Sequence, residues 1–456
     1  MIRPRRGRCF GCCSLRKGLI HPAARITVVD VRQWLESTKN RGMALGLAQT
    51  QLVLERLELT YPQHILHVAG SNGKGTVSAL MATSLCIQNV PNLLFTSPHV
   101  SRVEERVRIN GTPISSDLFD QALTLIHRAA YLPNQPSVEL TFFEVTYLVA
   151  MVCSSGIEVL ILETGLGGRL DATRSGPATA CLLTSISREH RDILGHNRSL
   201  IAREKAAIAR PNCPLIVRDP GDEQVAGAIR DEAQRAGNPE LGEIMRPAEV
   251  IFVTPPHSAS VRDEAVVLAE AMFKAVGLPT DLLAQANSIM RWPARMQRLT
   301  TEETGSHAYL LDAAHNPSGL LRVASELEDI VRSEAPRAAA GPVWSLLFAT
   351  SPQHDIEEFI EPLLAICRRN PPQNIVLTVP VGGRYPGVPT KELLALPWPI
   401  GPHVAEDPSS AVTFYAQLNP AEVGLVVSIG SLYLQGNILN AFGWSTDENL
   451  SLVAKN

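Results

Sequence analysis

The sequence predicts an α/β protein of two units, each built on a mostly parallel sheet. Three observations carry that reading. An apolar strand at 64–69 runs into the turn Gly70-Ser71-Asn72-Gly73-Lys74-Gly75-Thr76. Strand-like and helix-like stretches alternate on both sides of Trp292-Pro293-Ala294-Arg295, the pattern of a parallel sheet wrapped by helices. The 456 residues exceed what one ordinary core holds.

Residues 29–59 read as two helices, with Val31, Trp34 and Leu35 on one face of the first and Leu52, Val53, Leu54 and Leu57 on the second. The 64–69 strand follows, and the turn after it aims backbone N–H groups at one spot beside the Lys74 charge and the positive end of the next helix. That is a cradle for a nucleoside triphosphate tail. It departs from the common Walker spacing, which needs glycine where Val68 stands and a hydroxyl where Gly75 stands. Further on, 77–88 reads as a helix, 92–96 as a strand, 140–153 as a strongly apolar helix, and 158–162 and 178–186 as buried strands. Between 220 and 283 only 250–253 reads as a strand. A second alternating set has strands at 308–311, 343–348, 374–379 and 424–429, with helices at 319–331 and 356–367. The expected units are a P-loop-type sheet domain at 27–291 and a smaller Rossmann-like α/β domain at 292–456, divided where a helical pattern ends at a proline. Ligands of such sheets gather at the carboxyl ends of the strands, here just after Ala69, Thr96, Leu162 and Ile186.

Composition narrows the partners. A net charge of -4 gives no basic excess of the kind a nucleic-acid binder shows, and no apolar run approaches the roughly 18 residues of a membrane span. Small-molecule substrates and a monomer are expected, with no nucleic acid and no membrane. Eight scattered cysteines suit a reducing, cytoplasmic compartment. Residues 1–26 carry Arg3, Arg5, Arg6, Arg8, Arg16, Lys17 and Arg25 with no acid, which suits a tail outside the fold, an organellar import segment or a start site placed too early. Cys9, Cys12 and Cys13 with His21 are weak evidence for a zinc knuckle beside the plain reading of free thiols.

Each strand end carries residues suited to magnesium and phosphate. After Thr96 come Ser97-Pro98-His99, Arg102, Glu105-Arg106 and Ile109-Asn110-Gly111. After Leu162 comes Glu163-Thr164-Gly165-Leu166-Gly167-Gly168-Arg169-Leu170-Asp171-Ala172-Thr173, and after Ile186 come Glu189, His190, Asp192 and Arg203-Glu204-Lys205-Ala206. Magnesium takes few protein ligands, mainly oxygens, so Ser97 and Glu163 fit directly and His190 less so. Singly, each has a plain structural role: Glu163 an N-cap or salt-bridge partner, His190 a capping histidine, Lys205 a lysine reaching the surface, Arg169 and Asp171 a loop salt bridge. Their joint placement at successive strand ends favours a site.

These motifs, with Trp292-Pro293-Ala294-Arg295, Asp312-Ala313-Ala314-His315-Asn316-Pro317 and Gly430-Ser431-Leu432-Tyr433-Leu434, resemble those of the dihydrofolate synthase/folylpolyglutamate synthase family of the Mur ligase superfamily, over about residues 27–442. The resemblance implies an ATP-dependent amide ligase that adds L-glutamate to 7,8-dihydropteroate through an acyl phosphate, with possible extension of folate polyglutamates. It implies that Asn72, Gly73, Lys74, Gly75 and Thr76 hold the triphosphate and that Ser97, Glu163 and His190 bind Mg²⁺. Lys205 matches a lysine the family carries as a carbamate, able to bind a second Mg²⁺. Lys74, Lys205 and His190 would be the catalytic set, Arg295, Asp312 and His315 would reach the nucleotide from the second unit, and Thr141, Phe142 and Phe143 match the pterin-contacting region. Pteroate or folate, L-glutamate and ATP are the partners implied.

The pattern breaks at His257-Ser258-Ala259-Ser260-Val261-Arg262-Asp263-Glu264-Ala265, where the family places a glutamine and a nucleotide-holding asparagine. The stretch before it reads as short of strands. Glu189 replaces the usual aspartate. Two alternatives stay open at this point: a folylpolyglutamate synthase only, and a nucleotide-binding module that has lost catalysis.

Overall fold

The computed structural model describes residues 28–42, 46–237, 246–338, 341–383 and 386–454. The basic segment 1–26 and the Cys9, Cys12, Cys13 and His21 cluster lie outside the described residues.

Two sheets carry the fold. The first holds β1 (His64–Ala69), β2 (Asn92–Phe95), β3 (Val107–Ile109), β4 (Thr112–Pro113), β5 (Val159–Glu163), β6 (Ala180–Leu183), β7 (Pro214–Arg218) and β8 (Glu249–Val253), in the order β4-β3-β2-β5-β1-β6-β7-β8. All neighbours are parallel except the β2–β3 and β3–β4 pairs. β1, β2, β5 and β6 are near-continuous apolar runs because both faces are covered. On one face the helix Lys74–Ile87 packs with the helix Val261–Val276; on the other the helix Phe142–Cys153 packs with Phe95, Leu160 and Leu162.

The second sheet holds β9 (Gln297–Leu299), β10 (Tyr309–Leu311), β13 (Trp344–Phe348), β14 (Asn374–Leu377), β15 (His403–Val404) and β16 (Leu425–Ile429), ordered β15-β14-β13-β16-β10-β9; β11 (Arg337–Ala338) and β12 (Gly341–Pro342) form a separate hairpin. Only β9 runs antiparallel to its neighbour in that sheet. The helices Pro317–Glu334 and Ile356–Arg369 bury Leu327, Val331, Phe359 and Leu363 against Trp344, Leu346 and Phe348.

Every strand and helix read from the sequence has a counterpart, shifted by a few residues at the ends. β7 was not readable: a proline at its start and an arginine at its end leave three apolar residues, too short a run for any period. Among the described residues between 220 and 283 the structure has β8 alone, as the sequence reading expects, and β8 pairs with β7 so that the first sheet is continuous up to residue 253. β3, β4, β9 and β15 are two- or three-residue strands whose pairing, not composition, defines them. The chain's last turn returns to the first sheet. Leu452 N donates to Gly111 O at 2.9 Å, Arg291 N donates to Leu452 O at 2.8 Å, and the Leu452 side chain joins the core under the helix Lys74–Ile87. Among the described residues no helix is long and apolar enough to cross a membrane.

Candidate active site

The phosphate cradle is built from the end of β1. Gly70 (φ 143°) and Gly73 (φ 85°) take conformations that side chains disfavour, and a Cβ on Gly70 would lie 1.8 Å from Thr184 Oγ1. The chain can therefore fold back tightly before the 14-residue helix Lys74–Ile87 starts. Lys74 Nζ donates to Gly70 O at 2.9 Å and Ser71 O at 3.3 Å, which parks the ammonium over the turn. Gly75 explains the departure from the Walker spacing. A Cβ there would sit 3.1 Å from the Trp292 ring and 3.5 Å from both Glu163 carboxylate oxygens, so the position is occupied by a close approach of three segments.

Glu163 ends β5 and faces this helix start. Its Oε2 accepts from Ser97 N at 3.1 Å. Burial lifts its carboxyl above the usual range, against the pull of Lys74, the Ser97 amide, Arg295 and Arg106. Lys205 and Glu189 form a second buried pair: Lys205 Nζ donates to Glu189 Oε1 at 2.6 Å and to Gly70 O at 2.9 Å. Burial raises Glu189, but the Lys205 and Lys74 charges outweigh it and bring the carboxyl down to about 2. Burial pulls the Lys205 amine below its ordinary value, against Glu189. His190, at φ 43°, follows at the same cavity wall.

The second sheet contributes from the end of β10. Asp312 Oδ1 accepts from Ala314 N at 2.8 Å and Oδ2 from Met296 N at 2.9 Å, and burial lifts its carboxyl against Arg295. His315 Nδ1 lies 2.8 Å from Ala313 O; a carbonyl only accepts, so Nδ1 carries the proton and the neutral ring leaves Nε2 as an acceptor. Asn72 of the cradle meets this sheet's helix directly. Its Nδ2 donates to Ser318 Oγ at 2.8 Å and its Oδ1 accepts from Asn316 Nδ2 at 3.0 Å.

A third wall is aromatic and cationic. The Arg106 guanidinium lies 5.1 Å and the Lys39 ammonium 5.2 Å from the Phe142 ring centroid. Arg106 Nε donates to His99 Nδ1 at 3.0 Å, and burial, then Arg106 and Lys39, push His99 down to about 3, so its ring is neutral. Thr141 has a structural task as well: it caps the helix Phe142–Cys153 in a reciprocal box with Glu144.

One cavity of about 930 Å³ is lined by every predicted site residue: Asn72, Gly73, Lys74, Gly75, Thr76, Ser97, Thr141, Phe142, Phe143, Glu163, His190, Lys205, Arg295, Asp312 and His315. The sequence reading missed Lys39, Arg218, Glu264, Arg322 and Glu326, which line it too. Arg218 was hidden with β7, whose carboxyl end it forms; the others resemble ordinary surface charges on helices.

Among the described residues no group of three or more His, Cys, Asp and Glu side chains could cage a metal alone. Ser97 N donates to Glu163 Oε2 at 3.1 Å on the cradle wall and His190 lines the same cavity; a hydroxyl, a carboxylate and a ring nitrogen are donor types a cation can use where phosphate oxygens and water complete its shell.

The fold is a two-lobed α/β architecture in which a glycine-rich turn of one lobe and the residues after β10 of the other line one cavity. No family model matches the chain. It is 37% identical over 205 residues to the dihydrofolate synthase/folylpolyglutamate synthase of Haemophilus influenzae, covering 44% of this chain and 45% of that one. It is 32% identical over 270 residues to the Escherichia coli protein of the same name, covering 59% and 60%. The matches thus span about half the length of these curated relatives. E. coli FolC in complex with DHPP and ADP superposes with a TM-score of 0.71 at 23% identity, over 91% of this chain and 97% of that one. A bifunctional folylpolyglutamate synthase/dihydrofolate synthase with Mn, AMPPNP and L-glutamate bound gives 0.70 at 24%, over 91% and 98%. At those identities the likeness is one of fold. Over the matched half the chain is similar in sequence to proteins named dihydrofolate synthase/folylpolyglutamate synthase, and over nine-tenths of its length it shares their fold.

Proposed function

We propose that this protein is an ATP-dependent ligase that joins the amine of L-glutamate to the carboxyl of 7,8-dihydropteroate, and that the same site extends folate polyglutamates. The observation that carries the reading is the single cavity in which the cradle, Glu163, the Phe142 pocket and Asp312 face one another. The names of the sequence relatives, and the DHPP, ADP, AMPPNP, Mn and L-glutamate bound in the fold neighbours, support the same choice of substrates.

A carboxylate is a poor electrophile. Attack of its oxygen on the γ-phosphorus of ATP forms the acyl phosphate and releases ADP; the glutamate amine then forms the amide bond and expels phosphate. Lys74 leaves the Gly70 and Ser71 carbonyls to meet the phosphates, and Arg295 and His315 approach them from the other lobe. The Phe142 ring offers a face for a flat heterocycle, with Arg106 beside it. A divalent cation held by Ser97, Glu163 and His190 would neutralise charge on the transferring phosphoryl group. Lys205 is proposed to act as a carbamate binding a second Mg²⁺: burial favours the neutral amine that carbamate formation needs, although its amine now holds Glu189. Residues 27–291 and 292–456 are proposed to close on the substrates, excluding water from the acyl phosphate.

The test is ADP release by purified protein with ATP, Mg²⁺ and L-glutamate, with dihydropteroate and then tetrahydrofolate as acceptor. The reading expects glutamate-dependent turnover with dihydropteroate. Turnover with tetrahydrofolate alone would assign a folylpolyglutamate synthase only, and nucleotide binding without turnover on either acceptor would leave an inactive binding module.

A further inference from the structure

The cavity continues from the cradle into a slot between the lobes. Val261, Ala265 and Leu268 on the helix Val261–Val276 line it with Met290, and Val323 lines it from the helix Pro317–Glu334. Arg322 ties the two walls together, donating to Ala259 O at 2.6 Å and lying 3.5 Å from Glu264 Oε2; Glu264 also holds Arg218 at 2.7 Å. This is the stretch where the sequence lacks the amide the family resemblance leads one to expect.

Along the helix Pro317–Glu334, Ser318, Gly319, Arg322, Val323 and Glu326 all line the cavity, a spacing that puts them on one face. The start of that face is pinned to the phosphate loop by the Asn72–Ser318 hydrogen bond. Eight residues on, Glu326 lies about 12 Å further along the helix axis. That is the reach of an extended nucleotide from its outer phosphates to its sugar and base. Glu326 is half-buried and, among the described residues, has no hydrogen bond or ion pair, although Arg322 stands one turn before it. Arg322 is engaged by Glu264 and the Ala259 carbonyl instead. Burial, then the nearby Asp312 carboxylate, pushes Glu326 above the usual carboxylate range, against Arg298, Arg322 and Arg262. A cavity-facing carboxylate kept in this setting without a partner lacks a donor that a ligand can supply.

The geometry points to Glu326 as the nucleoside-selecting residue of this chain: its carboxylate accepts hydrogen bonds from donors of the bound nucleoside, either the sugar hydroxyls or the exocyclic amine of adenine. The inference rests on the reading of the cavity as a nucleotide site. A carboxylate accepts and does not donate, so it rejects a base that presents a carbonyl in place of the amine, and gains nothing from a sugar that lacks the hydroxyl.

The experiment compares wild type, Glu326→Ala and Glu326→Gln by calorimetric titration with ADP, 2′-deoxy-ADP, IDP and inorganic tripolyphosphate, after thermal unfolding has shown each variant to be folded. Glu326→Ala should weaken ADP by about tenfold or more and leave tripolyphosphate unchanged, with Glu326→Gln in between. If the sugar is read, wild type loses about the same factor with 2′-deoxy-ADP and the alanine variant does not distinguish the two. If the amine is read, IDP behaves that way instead. Equal ADP affinity in all three proteins, an equal loss for tripolyphosphate and ADP, or selectivity among the nucleotides that the variants leave unchanged would overturn the proposal while the nucleotide site stands. Failure of wild type to bind both ADP and tripolyphosphate would overturn the site reading and this proposal together.

Discussion

Gly70 shows how little latitude the cradle has. At φ 143°, with Thr184 Oγ1 1.8 Å from any added Cβ, Gly70→Ala forces the turn open, and the strained backbone alone costs about 1–3 kcal/mol. Loss of ADP binding together with a lowered unfolding midpoint, measured by titration and denaturant melts, is the expected result. Glu163 makes the opposite case. It is a buried carboxylate lifted above its usual range, so keeping its charge costs the fold stability. Glu163→Gln should abolish turnover while leaving the thermal midpoint unchanged or higher; a variant that keeps turnover would remove Glu163 from the site. The residues legible in the sequence were those whose type is odd for their place, such as a lysine in a glycine turn or a glutamate closing an apolar strand. Glu264, Arg322 and Glu326 were not, because charges on an amphipathic helix look alike whether they face water or a slot.

After β1 the chain turns sharply at Gly70 and Gly73, and elsewhere helix caps fix the elements that line the cavity. Thr141 and Glu144 cap the helix Phe142–Cys153, and Thr50 Oγ1 donates to Glu144 Oε1 at 2.8 Å, binding an earlier helix to the same cap. Thr141→Ala should cost about 1 kcal/mol of stability, read by denaturant unfolding, and Thr141→Ser should restore most of it. If the KM for the pterin substrate rises for alanine alone, Thr141 acts through its capping hydroxyl; an equal rise in both variants would indicate direct contact through the methyl group that serine lacks. Long apolar strands and helices were readable because burial on both faces makes them continuous in sequence. β7 was hidden by its proline and arginine ends, and with it Arg218, since a site residue at a strand end is visible only when the strand is.

The whole molecule holds several imidazoles neutral. Burial lowers His67, His99 and His315 below the ordinary histidine value, His99 to about 3. Below pH ~6.5 the unfolded chain takes up protons that these rings refuse in the fold, so stability falls as pH falls, over the window from ~6.5 down to about 3 for His99. Glu189, with its folded value lowered to about 2, adds stability that is present above the ordinary glutamate range and lost as pH falls toward 2. Unfolding free energy measured from pH 8 to 4 should therefore decline, and His99→Gln should flatten the upper part of that decline; an unchanged slope would contradict a buried neutral ring.

The lobes meet where Asn72 bonds Asn316 and Ser318, and that contact places the phosphate loop of one sheet against the helix that follows β10 of the other. The central claim is that both lobes hold one nucleotide. Crystals grown with AMPPNP and Mg²⁺ test it most directly. The account predicts phosphates on Lys74 and the 73–76 backbone with the sugar side on Arg295, Asp312 and the helix Pro317–Glu334. A nucleotide seated on the first lobe alone, with Arg295 and Asp312 turned away from it, would contradict it.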